Sequence, residues 1–317
     1  MRYTEYINSL IKDEVKAVDN CVLFGQNIKT GSCLGGLTRN IKLSENSRIL
    51  NSTNAENSLV GFGFGLMMNS ASSVFFMKQL DFLLLGIDQL VNTYNIIRSV
   101  KDNYPIGSFT IVATVVDSGY DGPQSSFNNF YDLCSIARVQ GFTINNKSDA
   151  DYIFENEFLQ PGFRIIALSQ RLGKLEINDT LSPINSYSKG NIFQYSLGLD
   201  VTIVSINFSY SIAEKLNNFL LENDIVATHF HVNNIINPLW DEVISNVAIT
   251  KRVIIIDDSK SIQSATDLLL SQLFGMDIQE KIVLKREISN DWLYPVSDNF
   301  EIDNQIILDQ LKANSIN

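Results

Sequence analysis

The chain alternates short apolar runs with stretches of helical spacing. Between Tyr3 and Ala17, apolar side chains fall at Tyr6, Ile7, Leu10, Ile11 and Val15, the spacing of one helical face. Cys21–Phe24 is a short buried strand ending at Gly25, Arg48–Leu50 another, and Val74–Met77 a third. The segment from Asn57 to Gly65 is apolar and punctuated by Gly61, Gly63 and Gly65, which suits a helix packed closely on its neighbours. Leu83, Leu84, Ile87, Leu90, Val91, Tyr94 and Ile97 share one face of a predicted helix. Phe109–Val116 is a continuous apolar strand ended by Asp117-Ser118-Gly119, and Ile165–Leu168 is another.

From Gly173 to Leu199 the periodicity fades, and Pro183, Asn185, Ser186, Ser188 and Gly190 suggest a connecting segment. Beyond it the pattern predicts strands at Val201–Ile206, Val226–Val232 and Arg252–Ile256. It predicts helices at Ile212–Glu222, Trp240–Ser245 and Ser261–Phe274. Uninterrupted apolar strands alternating with helices predict α/β architecture: mainly parallel sheets covered on both faces, in two domains, residues 1–185 and a smaller 195–317.

Composition narrows the function classes. The 317 residues are 45% hydrophobic and 19% charged, a globular composition long enough for two cores. The formal net charge of −11 comes with no basic stripe, which argues against nucleic acid and against anionic membranes. Cys21, Cys33 and Cys134 make neither a disulfide framework nor a zinc pattern, which fits a reducing cytoplasm. Met1–Glu14 mixes charge with apolar residues and does not read as a signal peptide. The longest uncharged run, Asn57–Met77, is rich in Gly, Ser and Asn. It reads as buried helix plus strand rather than as a membrane span. With only His229 and His231 present, a His-based triad or multi-His metal site has almost no material. The two alternate along a predicted strand, so both face one way, and they are read as structural. Asp257-Asp258 at a strand end is read as a solvated turn rather than a metal site.

Glu56 stands out because it is the only charged residue between Arg48 and Lys78. A lone carboxylate beside an apolar wall is costly unless something pairs with it. A carboxylate in the first turn of a helix also suits a capping role.

Several motifs around Glu56 occur in an order that resembles the pyrimidine-binding half of thiamine-diphosphate enzymes. The similarity is to the beta subunit of the 2-oxo acid dehydrogenase decarboxylase component and to the matching part of transketolase. Phe24-Gly25-Gln26-Asn27 resembles the Phe-Gly-Glu-Asp of the beta subunits. Ala55-Glu56-Asn57-Ser58-Leu59-Val60-Gly61 resembles their Ser-Glu-x-x-x-x-Gly turn. Phe76-Met77-Lys78-Gln79-Leu80-Asp81-Phe82 is similar to the aromatic-rich segment that holds the pyrimidine. Gly86-Ile87-Asp88-Gln89 is similar to Ala-Ile-Asp-Gln, and Asp121-Gly122-Pro123 to the Asp-Gly-Pro of transketolases.

The resemblance implies a pyrimidine-binding domain followed by a transketolase C-terminal-type domain. It also implies a cofactor, thiamine diphosphate, whose thiazolium carbon is activated through a carboxylate on the aminopyrimidine. Glu56 matches that catalytic position, and Phe76 and Phe82 are the candidates for stacking on the ring. Gln79 or Leu80 stands where the family carries a further aromatic. Gln124 and Ser125 would face the substrate. Ser125 falls where the family carries a histidine, and a serine cannot replace imidazole as an acid or base near neutral pH.

The Gly-Asp-Gly and downstream Asn that hold Mg²⁺ and the diphosphate in this family are absent from the sequence. The resemblance therefore implies a separate alpha-type subunit that binds Mg²⁺ and completes the site, with α₂β₂ as the family's assembly. The implied reaction is addition to a 2-oxo acid or ketose and transfer of an acyl or two-carbon unit. The 2-oxo acid dehydrogenase type is the first expectation, with transketolase-like or carboligase chemistry as one alternative and a non-catalytic assembly partner as another.

Overall fold

A computed structural model describes residues 1–100, 106–118, 122, 125–177, 182–236, 238–286 and 300–313. Its described residues fall into two compact units, the first ending at residue 177 and the second beginning at 182.

In the first unit, helix α1 (Tyr3–Ala17) precedes β1 (Cys21–Gly25) and β2 (Arg48–Asn51). These are followed by α2 (Glu56–Met68), β3 (Ser72–Met77), α3 (Tyr94–Val100) and β4 (Ser108–Val115). The unit closes with α4 (Phe130–Ala137), β5 (Gln140–Ile144), α5 (Lys147–Asn156) and β6 (Gly162–Ser169). Its six strands run parallel in the order β2-β1-β3-β4-β6-β5. The central strands are apolar on both faces because helices cover both, as a parallel sheet requires. On one face Ile7, Ile11 and Val15 of α1 join Phe154 of α5 over Leu23, Val74, Phe76, Val112 and Ile166. On the other face the core is aromatic. Phe24 stacks on Phe75 at 5.1 Å, and Phe64 of α2 meets Phe109 edge-on at 5.2 Å. Gly63 is what lets α2 come this close, since a Cβ there would lie 2.2 Å from the Phe109 ring.

The expected helix over 83–97 begins as a different kind of helix. Leu80–Gly86 is a tight 3-10 segment, and the chain from Ile87 to Val100 is continuously helical with a π turn at Gln89–Thr93. At the end of the 3-10 segment Gly86 packs against α2, where a Cβ would lie 2.9 Å from Val60 Cγ2. Helices α4 and α5 and strand β5 were not anticipated from the sequence.

In the second unit the order is β7 (Asn185–Tyr187), β8 (Ile192–Ser196), β9 (Val201–Ile206), α6 (Tyr210–Glu222), β10 (Ala227–Val232) and α7 (Asp241–Thr250). Then come β11 (Arg252–Asp257), α8 (Asp267–Leu273), β12 (Glu280–Lys285) and α9 (Asn304–Ala313). The sheet runs β12-β11-β9-β10-β8-β7, with β9 to β12 parallel and β8 and β7 antiparallel at one edge. Ala213, Leu216 and Leu220 of α6 pack with Leu308 and Leu311 of α9 over Val201, Ile203 and Ile254.

The expected connecting segment is partly a hairpin. Ser188, Lys189 and Gly190 all have positive φ, and the Gly190 N–H donates to Tyr187 O, closing β7 onto β8. Turn residues that read as a linker here terminate a strand pair. Helix α8 starts at Asp267 rather than Ser261. Ser264 is held by Asp257, which accepts from its Oγ at 3.1 Å, and by Asp267, which accepts from its N–H at 3.0 Å.

The two sheets share a core order. Strands β2-β1-β3-β4 and β10-β9-β11-β12 follow the same sequence, with the first strand flanked by the second and the third. In each, the loops leaving the first and third strands diverge to opposite faces. That point is where open α/β sheets form ligand crevices.

Candidate functional site

The switch point of the first sheet lies between the carboxyl ends of β1 and β3. A narrow cleft opens there, with free space of about 10 Å³, room for about one water. Each wall follows from a strand end. β1 delivers Gln26, and β2 delivers Ser52, Thr53 and Asn54. β3 delivers Phe75, Phe76, Met77 and Lys78. Glu56 and Leu59 come from α2, and Phe82 from the 3-10 segment. Gly25 makes the turn out of β1 possible: its φ is +151°, and a Cβ would lie 2.3 Å from Phe76 O.

Glu56 is the first residue of α2 and is half-buried. Its carboxylate has no hydrogen-bond donor or ion-pair partner among the described residues. The helix therefore presents an anion at its positive end without spending it on a cap. Phe76 is fully buried, with Phe82 half-buried beside the cleft. Phe75 and Phe76 face opposite sides of the sheet, as alternation along a strand demands: Phe75 stacks on Phe24, and Phe76 joins the α1 core. Three residues expected from the sequence, Glu56, Phe76 and Phe82, thus line one cleft. Lys78 and the polar groups Ser52, Thr53 and Asn54 had been assigned no chemistry. Their signal was their place just past a strand end, and Ser52 Oγ is buried there without a partner among the described residues.

Ser125 does not line this cleft. It is buried, and its Oγ donates to Gln79 Oε1 at 3.1 Å. Phe127 N–H donates to Asp81 Oδ1 at 3.3 Å, so the loop is moored to the segment between Lys78 and Phe82. Gln124, Asp121 and Pro123 lie outside the described residues.

His229 and His231 point to the same face, and each approaches Ser205 Oγ, at 2.8 and 2.9 Å. Both are buried among Tyr195 and Tyr210, and burial, with His231 adding to it, holds the His229 pKa down to about 3. That arrangement keeps His229 neutral and structural. Asp257 and Asp258 are not a solvated turn. Both are buried, and Asp258 Oδ1 accepts from Asn207 Nδ2 and Phe208 N–H, each at 2.9 Å. Burial pushes the Asp257 carboxyl up, opposed by the bond the Ser259 N–H donates at 3.0 Å. These two carboxylates tie the end of β11 to the loop after β9 and to its own continuation.

The cleft brings together a carboxylate without a partner among the described residues, the aromatic side chains of Phe75, Phe76 and Phe82, and the amides of Gln26 and Asn54. Among the described residues no group of three or more His, Cys, Asp or Glu could hold a metal. No helix among them is long and apolar enough to cross a membrane.

No family model and no curated protein matches the chain. Among solved structures it is similar to a split-gene transketolase described as an inactive beta4 tetramer. The TM-score is 0.67 at 15% identity, over 98% of this chain and 96% of that one. At this identity the likeness carries the fold: the two α/β domains, with their mostly parallel six-stranded sheets, are of transketolase type.

Proposed function

We propose that this chain is the pyrimidine-binding, beta-type half of a two-component thiamine-diphosphate enzyme, completed by an alpha-type chain in an α₂β₂ assembly. The observation that supports it most is the partnerless Glu56 carboxylate, set with Phe76 and Phe82 in one cleft at the sheet's switch point. The cofactor, when bound, supplies the carbanion chemistry of its thiazolium ring. Glu56 shares a proton with the pyrimidine ring nitrogen, and a drier site strengthens that bond. Phe76 and Phe82 form the apolar wall that excludes water. Gln124 and Ser125 are assigned to the substrate side by the family resemblance, with Gln79 holding Ser125 in place. The alpha-type chain brings the ligands for Mg²⁺ and the diphosphate. The reaction transfers an acyl or two-carbon unit from a 2-oxo acid or ketose, and the likeness to a split-gene transketolase supports the ketol-transfer form.

A second reading rests on Ser125. Its hydroxyl is committed to Gln79, and it stands where the resembling family carries a histidine, which favours an assembly partner without chemistry of its own. Calorimetric titration of thiamine diphosphate with Mg²⁺ separates the two. The enzyme reading expects binding to the chain paired with its alpha-type partner and none to the chain alone. Absence of binding to both supports the assembly partner. Tight binding to the isolated chain overturns the two-component reading.

A further inference from the structure

Buried serine hydroxyls nearly always find a hydrogen-bond partner, because a buried polar group without one keeps the full cost of leaving water. Two serines flanking β2 differ in this respect. Ser47, just before the strand, is 5% exposed. Its Oγ accepts from the Cys21 N–H at 2.9 Å and shares a hydrogen bond with Ser44 Oγ at 2.8 Å. Ser52, just after the strand, has a buried Oγ with no partner among the described residues.

The backbone around Ser52 is held on both sides. Its own N–H donates to Gly25 O at 2.9 Å. Beside it, Asn51 Oδ1 accepts from the Lys29 N–H at 2.9 Å, and Asn51 Nδ2 donates to Thr30 Oγ1 at 3.1 Å. The end of β2 is thereby tied to the turn out of β1. Ser52 is fixed in the wall of the cleft that also holds Glu56, Phe76 and Phe82. The free space there, about 10 Å³, is room for one polar atom rather than for a whole ring, so a ring reaches Ser52 only with its edge.

We propose that Ser52 determines specificity in this cleft: its hydroxyl bonds a second polar atom on the edge of the ring whose nitrogen faces Glu56. The proposal rests on the cofactor reading and adds a requirement to it. The ligand is a heteroaromatic ring with two separate hydrogen-bonding positions on its edge, as an aminopyrimidine has. A hydroxyl both donates and accepts, so it suits a ring nitrogen or an exocyclic amino group. It also discriminates, because a ring without the second polar atom covers the hydroxyl and leaves it unpaired.

Thermal unfolding of the full chain, together with calorimetric titration of thiamine diphosphate and Mg²⁺ into the chain paired with its alpha-type partner, tests it. Ser52→Ala should hold or raise the thermal midpoint, since it deletes a hydroxyl with no bond to lose. It should weaken cofactor binding at least about tenfold. Ser47→Ala, at the satisfied serine, should do the reverse, lowering the midpoint and leaving affinity unchanged. A thiamine diphosphate analogue whose ring keeps only the nitrogen facing Glu56 should bind the wild type and Ser52→Ala alike. Ser52→Ala binding the cofactor as tightly as the wild type overturns the proposal. So does a midpoint lowered as in Ser47→Ala, which would make the hydroxyl structural, or an undiminished preference of Ser52→Ala for the cofactor over the analogue. A wild-type pair that binds no thiamine diphosphate removes the cofactor reading and this proposal with it, whereas the other three outcomes remove the proposal alone.

Discussion

The ring of Phe109 occupies the space where a side chain on Gly63 would begin, 2.2 Å from the position of its Cβ. Two glycines on the same helix therefore have opposite meanings. Gly63→Ala gains helix propensity of about 1 kcal/mol but forces α2 away from the aromatic core, a clash worth about 1–3 kcal/mol or more. Net destabilisation is expected. Gly65→Ala meets nothing within 4 Å and should stabilise by roughly 0.5–1 kcal/mol. Urea unfolding of both variants, at a dilution where the chain is monomeric, checks the contrast. Equal effects at the two positions would remove the role given to Gly63.

His229 gives stability a pH dependence of known sign. Its folded pKa of about 3 lies below its ordinary 6.5, so the unfolded chain takes up the proton first. Its contribution is therefore complete above about pH 6.5 and is lost as pH falls from there toward 3. The loss from this group is at most about 5 kcal/mol. Asp257 works the other way in acid, because its raised pKa means the folded state binds that proton more readily. The clean measurement is the difference in urea midpoint between wild type and His229→Gln across that range. The difference should shrink on acidification. A constant difference would mean that His229 titrates alike in both states.

Asp258 carries a link between chain segments that no local pattern reveals. It accepts from Asn207 and Phe208 across 51 and 50 residues of sequence. Asp258→Ala removes the acceptor of two donors at the end of β9, each bond to a buried carboxylate worth about 1–3 kcal/mol. A drop of at least ~2 kcal/mol in unfolding free energy is expected. Hydrogen exchange should show faster opening at Phe208 N–H. Unchanged protection there would argue that another acceptor takes over.

What the sequence disclosed follows the range of the forces involved. Uninterrupted apolar runs such as Val201–Ile206 and Arg252–Ile256 announce strands covered on both faces, because burial of each residue is recorded in its own identity. Glu56 was legible as the one carboxylate in a long uncharged stretch, and its neighbours Phe76 and Phe82 came with the motif around it. Pairings over distance were not legible. Ser125 is anchored by Gln79, 46 residues away, and Asp258 by Asn207, so a pair of adjacent aspartates read as a solvated turn. Ser188-Lys189-Gly190 looked like a linker because turn residues mark reversals without saying what they join. The helix expected over 83–97 is present from Ile87 on, while its first turn is 3-10 and Gly86 packs on Val60 of another element, a contact no local period records.

Glu56→Gln is the substitution that tests the proposed chemistry most directly. Glutamine keeps the shape and still accepts hydrogen bonds, but it cannot take or hold a proton at the ring nitrogen. The residue is half-buried and has no partner among the described residues, so the change should leave folding stability within about 0.5 kcal/mol. In the complex with an alpha-type chain, cofactor affinity should change little, while turnover falls about 10²–10⁴-fold, the usual loss when a positioned acid–base group is removed. Deuterium exchange at the thiazolium carbon of bound thiamine diphosphate should slow by a similar factor, which locates the defect before any substrate step. If turnover and exchange both survive intact, Glu56 is a helix-terminal carboxylate with a structural role, and the cleft at the switch point of the first sheet serves some other ligand.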